Sequence, residues 1–129
     1  MMRHATNEFD LLRTSVTRSE AGALLYLDGR LTIDSAPLLR NQMLGILYEE
    51  SLANLTLDFS NVPHMDCAGI ATLLEGLKIA RVRNIRLTLT GLHDRPFYLL
   101  EVTGLLSLFG LRNLTYPTSV RRQRHGNSY

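Results

Sequence analysis

The sequence predicts a single α/β domain, a small mixed β-sheet with helices packed on it. The chain has 129 residues, which is enough for one hydrophobic core and too few for two. From about residue 34 onward, predicted helices and predicted strands alternate along the chain: the helices have apolar residues at helical spacing, and the strands have apolar residues at every second position. Before residue 34 the pattern indicates strands only. A strand–helix–strand unit over residues 55–90 would place two strands parallel, joined by a right-handed crossover.

The first part of the chain predicts two strands and a helix. In residues 11–33, "LLRTSVT" alternates weakly, and "GALLYLDGRLTI" is an apolar run interrupted by a turn-like Asp-Gly pair. The helix follows in "SAPLLRNQMLGILYEE", where Asp34 or Ser35 suits the N-cap and Pro37 suits the first turn. Four apolar residues share its predicted buried face: Leu39, Met43, Ile46 and Leu47.

A second strand–helix pair is predicted in the middle of the chain. "NLTLDFS" has the alternation of a half-buried strand. A short polar loop then leads to a helix that continues to about residue 81. The apolar residues that predict this helix are Ile70, Leu73, Leu74 and Leu77.

The last elements are predicted in residues 85–116. "IRLTLTG" predicts a strand with its isoleucine and leucines inward and with Arg86, Thr88 and Thr90 outward. "HDRPFYLLEVTG" predicts a helix with Asp94 as its cap and Gly104 as its stop. A short strand around "LRNLTY" closes the fold.

Composition and termini predict the domain boundaries and the compartment. We expect a flexible N-terminus over 1–10, the domain over 11–118 and a basic flexible tail over 119–129. Three arginines of the tail account for more than the whole net charge of +2, so the body lacks the basic face that nucleic-acid binding requires. No apolar run approaches the roughly 20 residues of a membrane span, and the N-terminus lacks the apolar core of a secretion signal. The single cysteine excludes an internal disulfide, which favours a cytoplasmic protein.

The most informative stretch is "SNVPHMDCAGIATLL", where the middle strand passes into its helix. The end of such a strand and the start of its helix meet at the carboxyl edge of the sheet, where α/β proteins tend to bind ligands. Cys67 lies at the helix start, beside unsatisfied N–H groups and a partial positive charge. Gly69 lets another backbone come close. The place favours an anion, a phosphoryl group or a partner's surface.

Enzyme and metal chemistry find little support in this stretch. His64, Asp66 and Cys67 lie within four residues, whereas a nucleophile and its base usually come from different elements. No second CxxC or HxxxH completes a metal site, and neither GxxxxGK[ST] nor GxGxxG occurs. We therefore predict no catalytic residue, no metal and no cofactor. For Cys67 two interpretations stay open, a redox-sensing thiol and a small residue filling a helix N-terminal position.

The segment "LTLDFSNVPHMDCAGIATLLEGLKIAR" resembles the central motif of STAS domains, the family of bacterial anti-sigma factor antagonists and related modules. That motif is an apolar strand ending in Asp-(Phe/Leu)-Ser, a loop ending in Asp, then Ser/Thr-x-Gly and an apolar helix. Residues 58–60 and 66–69 occupy these places. "LDGRLTIDSAPLLR" is similar to the family's Gly-x-Leu-Asp segment through Gly29, Leu31 and Asp34, and "GLHDRPFYLLEVTGLLSLFGL" to its last strand–helix stretch.

The resemblance, over about residues 12–118, implies a non-enzymatic interaction module with a STAS-like fold. In antagonists of the partner-switching kind, the residue after the loop Asp is a Ser or Thr that an anti-sigma factor kinase phosphorylates, and the added charge releases the partner. The matching residue is Cys67, followed by Ala68, and a serine kinase can phosphorylate neither. A second branch fits nearly as well: cytoplasmic STAS subunits that bind the ATPase of a phospholipid-transport ABC system, where the motif is used for docking. The oligomeric state stays open, a homodimer included.

We expect a docking surface centred on the junction between the middle strand and its helix. Two of its residues, Met65 and Ile70, have two interpretations, as apolar anchors of the surface or as core residues. Ser60 is expected to cap the loop between strand and helix. The predicted partner-binding residues are Asp34, Ser60, His64, Met65, Asp66, Cys67, Ala68, Gly69 and Ile70.

Overall fold

A computed structural model describes residues 12–20 and 22–112 and confirms the predicted fold class within them. These residues form one five-stranded sheet, three α-helices and one short 3-10 helix. In chain order the elements are β1 (Arg13–Ser19), β2 (Gly22–Leu31), α1 (Ala36–Leu47), β3 (Asn54–Met65), α2 (Cys67–Val82), β4 (Arg86–Thr90), α3 (Asp94–Val102), a 3-10 helix (Leu106–Leu108) and β5 (Gly110–Arg112).

The sheet is mixed, and its strands lie side by side in sequence order. β1 runs antiparallel to β2, whereas β2, β3, β4 and β5 run parallel to one another. Each parallel pair is joined through a helix, and every crossover moves one strand in the same direction. Because such crossovers are right-handed, α1, α2 and α3 cover the same face of the sheet.

The core lies between that face and the helices. Leu25, Leu57 and Leu89 form one row across β2, β3 and β4, and none has exposed surface. The predicted buried face of α1 is confirmed, since all four of its residues are buried. On α2 the face is confirmed at three of its four predicted positions, whereas Leu74 is half-buried.

The second face of β4 differs from its prediction. Arg86 is exposed as expected, but Thr88 and Thr90 are buried. β4 lies between β3 and β5, with Thr88 beside Thr56 in the register. Alternation identifies which residues share a face of a strand, but the burial of that face depends on what surrounds the strand.

The helix caps also differ in part from their predictions. Ser35 occupies the N-cap position of α1, yet its hydroxyl donates to the carbonyl of Arg30 at 2.6 Å and makes no cap bond. Asp94 is the first residue of α3, with a left-handed φ of 50°, and His93 takes the N-cap position. The predicted stop at Gly104 is confirmed by its φ of 75°, two residues after the end of α3.

The closing strand is present as β5, which begins earlier than predicted. The rest of the predicted closing segment and the predicted terminal segments, 1–10 and 119–129, lie outside the described residues. Within 12–20 and 22–112, none of the helices has the length and apolar character needed to cross a membrane.

Candidate functional site at the start of α2

The strand β3 passes almost directly into α2. The expected polar loop after residue 60 is instead the second half of β3, which continues to Met65 and leaves only Asp66 before the helix. Asp66 has an extended backbone, and its Oδ1 accepts hydrogen bonds from the N–H of Ala68 at 2.9 Å and of Gly69 at 3.3 Å. Asp66 is therefore the N-cap of α2.

Asp66 also fixes the loop between β2 and α1. Its Oδ2 accepts from the N–H of Ile33 at 3.0 Å, and its own N–H donates to the carbonyl of Leu31 at 3.1 Å. One carboxylate thus satisfies three backbone donors from two separate segments. The β2–α1 loop and the start of α2 consequently hold a fixed relative position.

Cys67 is the first residue of α2, and its side chain is exposed. Ala68, the next residue, is half-buried and packs against the core. The position at which the resemblance implies a switch residue is therefore accessible from solvent. Neither residue carries a hydroxyl that could accept a phosphate.

Gly69 is required by packing. Its φ lies outside the left-handed region, but a Cβ at this position would lie 2.6 Å from Cγ of Met65 and 2.9 Å from Cγ of Leu31. Met65 is 1% exposed and Ile70 is 8% exposed. Both are therefore core residues, the second of their two interpretations. Their side chains pack beneath the site and offer no exposed apolar anchor.

Ser60 does not cap the loop between strand and helix, because Asp66 performs that role. Ser60 lies on the exposed side of β3, where its N–H and its hydroxyl both donate to Oδ1 of Asp58, at 2.8 and 2.6 Å. This local bond coincides with a register shift between β2 and β3. Its other neighbours are Gly91 and His93, so the structure does not bring it together with Cys67.

His64 and Asp34 lie on either side of the junction. His64 is half-buried and pairs with Arg30 of β2 in the register. Asp34 is exposed in the β2–α1 loop, with its N–H donating to Oγ1 of Thr32 at 3.3 Å. Asp34 therefore shares with Cys67 the edge that Asp66 holds together.

Ile33 is a site residue that sequence reasoning missed. Its side chain is 71% exposed, while its backbone N–H is held by Asp66. The loop around it is internally bonded, because Ser35 and Ala36 both donate their N–H groups to the carbonyl of Thr32. The sequence places Ile33 in the apolar run that predicts a strand, whereas β2 ends at Leu31 and Ile33 lies in the loop after it. We call Ile33, Asp34 and Cys67 the junction surface.

A family model described as "Mlab, STAS domain" matches residues 14–112. The chain belongs to the STAS domain family. It is similar to the anti-sigma-B factor antagonist of Listeria monocytogenes, with 29% identity over 90 residues that cover 70% of this chain and 78% of the relative. Its fold is similar to an anti-sigma factor antagonist from Mycobacterium paratuberculosis, with a TM-score of 0.73, 18% identity and coverage of 81% and 88%. It is also similar to the Bacillus cell fate determinant SpoIIAA in the phosphorylated form, with a TM-score of 0.64, 14% identity and coverage of 87% and 100%.

In this STAS domain the two helices that flank the junction surface are joined by an ion pair. Nε and one terminal nitrogen of Arg40 on α1 each donate to a carboxylate oxygen of Glu75 on α2 at 2.8 Å. The hydrogen bond from Arg40 lowers the pKa of Glu75, and the same bond raises the pKa of Arg40. The pair is exposed, so its contribution to the stability of the domain is small.

The described part of the STAS domain holds no group of three or more His, Cys, Asp or Glu side chains placed to bind a metal ion. The junction offers an exposed apolar residue, an exposed carboxylate and an exposed thiol on rigid backbone. This arrangement suits contact with another protein, since loop order is already established before binding.

Proposed function

We propose that this STAS protein is an anti-sigma factor antagonist that binds its partner without catalysing a reaction. The observation that carries the proposal is the exposed start of α2 at Cys67, where a switch residue is expected, in a chain similar to a protein named as an anti-sigma-B factor antagonist. The partner is an anti-sigma factor of the serine-kinase type, and both proteins act in the cytoplasm. Neither nucleic acid nor a membrane is part of the proposed contact.

The junction surface makes the central contact. Ile33 enters an apolar pocket of the partner, Asp34 and Cys67 lie beside it, and Ser60 and His64 lie at the margin. Burial of an isoleucine side chain contributes about 1.5–3 kcal/mol, and 71% of Ile33 is still available for burial. We therefore expect Ile33→Ser to weaken binding by about 5- to 30-fold.

Residue 67 determines whether the contact can be switched. Cys67→Asp places a permanent charge at the interface, and we expect it to weaken binding as phosphorylation does in a switchable antagonist. Cys67→Ser restores a hydroxyl, and we expect the partner kinase to phosphorylate it in the presence of ATP. The protein with Cys67 then binds its partner in a way that this kinase cannot reverse. Unchanged affinity of Cys67→Asp in a titration would remove this position from the interface.

A second function is favoured by the absence of a hydroxyl at both residue 67 and residue 68. A STAS subunit that docks on the ATPase of a phospholipid-transport ABC system needs a surface at this edge but no phosphorylation site. The missing hydroxyl would then require no explanation. This candidate predicts that Cys67→Ser is not phosphorylated by its partner.

The experiment that tests both functions is a pull-down from native cell extract, with the full-length protein as bait and mass spectrometry of the bound proteins. Ile33→Ser serves as the site variant. Val82→Ser is its matched control, because Val82 is an exposed aliphatic residue, 83% exposed, at the opposite end of α2.

Each outcome decides between the candidates. Recovery of an anti-sigma factor kinase by the wild type and by Val82→Ser, with loss on Ile33→Ser, supports the antagonist function and its site. Recovery of an ABC ATPase with its membrane subunit supports the second function instead. If either partner binds Ile33→Ser as well as the wild type, the proposed surface is wrong.

A further inference from the structure

A histidine links α3 to the part of β3 that extends beyond the end of β4. β4 ends at Thr90, which pairs with Asp58, so the second half of β3 continues beyond the β4 pairing. His93 lies over this segment, with Nε2 2.9 Å from the carbonyl oxygen of Ser60 and Nδ1 2.8 Å from Oδ2 of Asp94. The link therefore joins the middle of β3 to the start of α3.

Glycine at position 91 allows this approach. Its φ is 74°, and a Cβ there would lie 2.4 Å from the hydroxyl oxygen of Ser60 and 2.8 Å from its backbone nitrogen. The β4–α3 loop can thus pass close enough to Ser60 for His93 to reach its carbonyl. A side chain at position 91 would separate the two segments.

The two contacts of His93 each require a ring N–H that donates to an oxygen atom. A carbonyl oxygen and an ionised carboxylate are both acceptors and carry no hydrogen. A neutral imidazole has one N–H and can donate to only one of them, whereas the imidazolium ion has two and can donate to both. Only the charged ring can therefore donate a hydrogen bond in both of the observed contacts.

We propose that His93 is a protonation-dependent link in which the imidazolium holds both Asp94 and Ser60, and the neutral ring keeps Ser60 alone. The neutral ring carries its proton on Nε2, because the Ser60 carbonyl is fixed in β3. The Asp94 side chain is 73% exposed and turns to water. Loss of the proton therefore frees the first residue of α3 and leaves β3 in place. This inference does not depend on the identity of the protein's partner.

The charged groups around the ring are few among the described side chains. On α3 they are Asp94 and Arg95, and the guanidinium of Arg95 lies 5.6 Å from the ring centre of Tyr98. On β3 the nearest is Asp58, whose Oδ1 already accepts two bonds from Ser60. Asp94 is thus the one carboxylate in direct contact with His93.

The test compares the full-length protein with Asp94→Asn by nuclear magnetic resonance in a pH titration that takes the ring of His93 from doubly protonated to neutral. Long-range ¹H–¹⁵N correlations report which ring nitrogens carry protons, and amide shifts report the backbone at residues 60–62 and 93–95. Asparagine tolerates the left-handed backbone of residue 94, and its NH₂ group donates to a neutral Nδ1. Asp94→Asn therefore keeps both contacts without the charge, and His64→Gln is the matched histidine control.

In the wild type we expect both ring nitrogens protonated at the acid end of the titration and the neutral ring protonated only on Nε2, with a movement of the amide signals at 93–95. In Asp94→Asn the charge of the ring still moves these signals, but the part that comes from release of residue 94 is lost, so we expect a smaller movement; in His64→Gln the movement is kept. A neutral ring protonated on Nδ1, or an equal movement in the wild type and Asp94→Asn, would overturn the proposal.

Discussion

Substitution of Asp66 separates its two structural roles. Asp66→Ala removes the cap of α2, which costs about 1 kcal/mol within a range of about 0.5–2. It also removes the bond to the N–H of Ile33, which costs about 1 kcal/mol. Asp66→Asn keeps one carbonyl oxygen for the cap, but its NH₂ group cannot accept from Ile33. We therefore expect a loss of about 2 kcal/mol for Asp66→Ala and about 1 kcal/mol for Asp66→Asn.

Urea denaturation followed by circular dichroism measures both losses as changes in the free energy of unfolding. The decisive result is whether Asp66→Ala loses more stability than Asp66→Asn. Equal losses would mean that the cap of α2 contributes nothing, and an unchanged stability of Asp66→Asn would mean that the carboxylate's contact with the β2–α1 loop contributes nothing. A loss below about 0.5 kcal/mol for Asp66→Ala, the usual range for a surface substitution, would refute the role of Asp66 as the organiser of the junction.

Three further predictions concern the helices. Gly45→Ala should stabilise the domain by about 0.5–1 kcal/mol, because Gly45 lies exposed within α1 and a Cβ there meets no atom within 4 Å; the urea midpoint should rise. Gly69→Ala should destabilise it by about 1–3 kcal/mol, because its Cβ would overlap Met65; a loss under 0.5 kcal/mol, within about the error of such titrations, would contradict this packing argument. Arg40 lowers the pKa of Glu75, so the ion pair stabilises the folded state at neutral pH, and this contribution is lost as the pH falls through the carboxylate range. Glu75→Gln should lose less stability than the wild type between neutral and acid pH, and equal acid sensitivity would contradict it.

The apolar patterns predicted the helices well because each helix buries one regular face. In α1 the residues at helical spacing are the ones that meet the sheet, so periodicity and burial coincide. The start of α2 near Cys67 was predicted as well, but its cap is Asp66 and not Ser60, and Gly69 packs against side chains of β2 and β3 where another backbone was expected. Features set by neighbours within the same element can be inferred from sequence.

The second half of β3 could not be predicted in the same way. Its pairing with β2 changes register twice, between Tyr26 and Asp28 and again between Asp28 and Arg30. Each irregularity shifts the alternation of side chains, and Pro63 adds a residue that is typical of loops. The segment therefore has the composition of a loop, although β2 holds it as a strand.

The exposure of Ile33 depends on a contact between residues 33 positions apart in the chain. An isoleucine in an unbonded loop would be expected to turn towards the core. Here the carboxylate of Asp66 fixes the backbone, and the side chain remains in solvent. Sequence patterns describe neighbours within an element, whereas this residue is positioned by a different element.

Position 67 can change its chemistry without loss of the fold, because other residues hold the junction together. Asp66 supplies the cap and Gly69 the close packing, so Cys67 has an exposed side chain at the first position of α2. A carboxylate at that position interacts favourably with the helix dipole, by about 0.3–1 kcal/mol. We therefore expect Cys67→Asp to unfold at the same urea concentration as the wild type or a higher one, while its affinity for the partner falls. If Cys67→Asp instead lost stability and affinity together, the weaker binding would reflect damage to the junction, and position 67 would have a structural role that Asp66 and Gly69 do not cover.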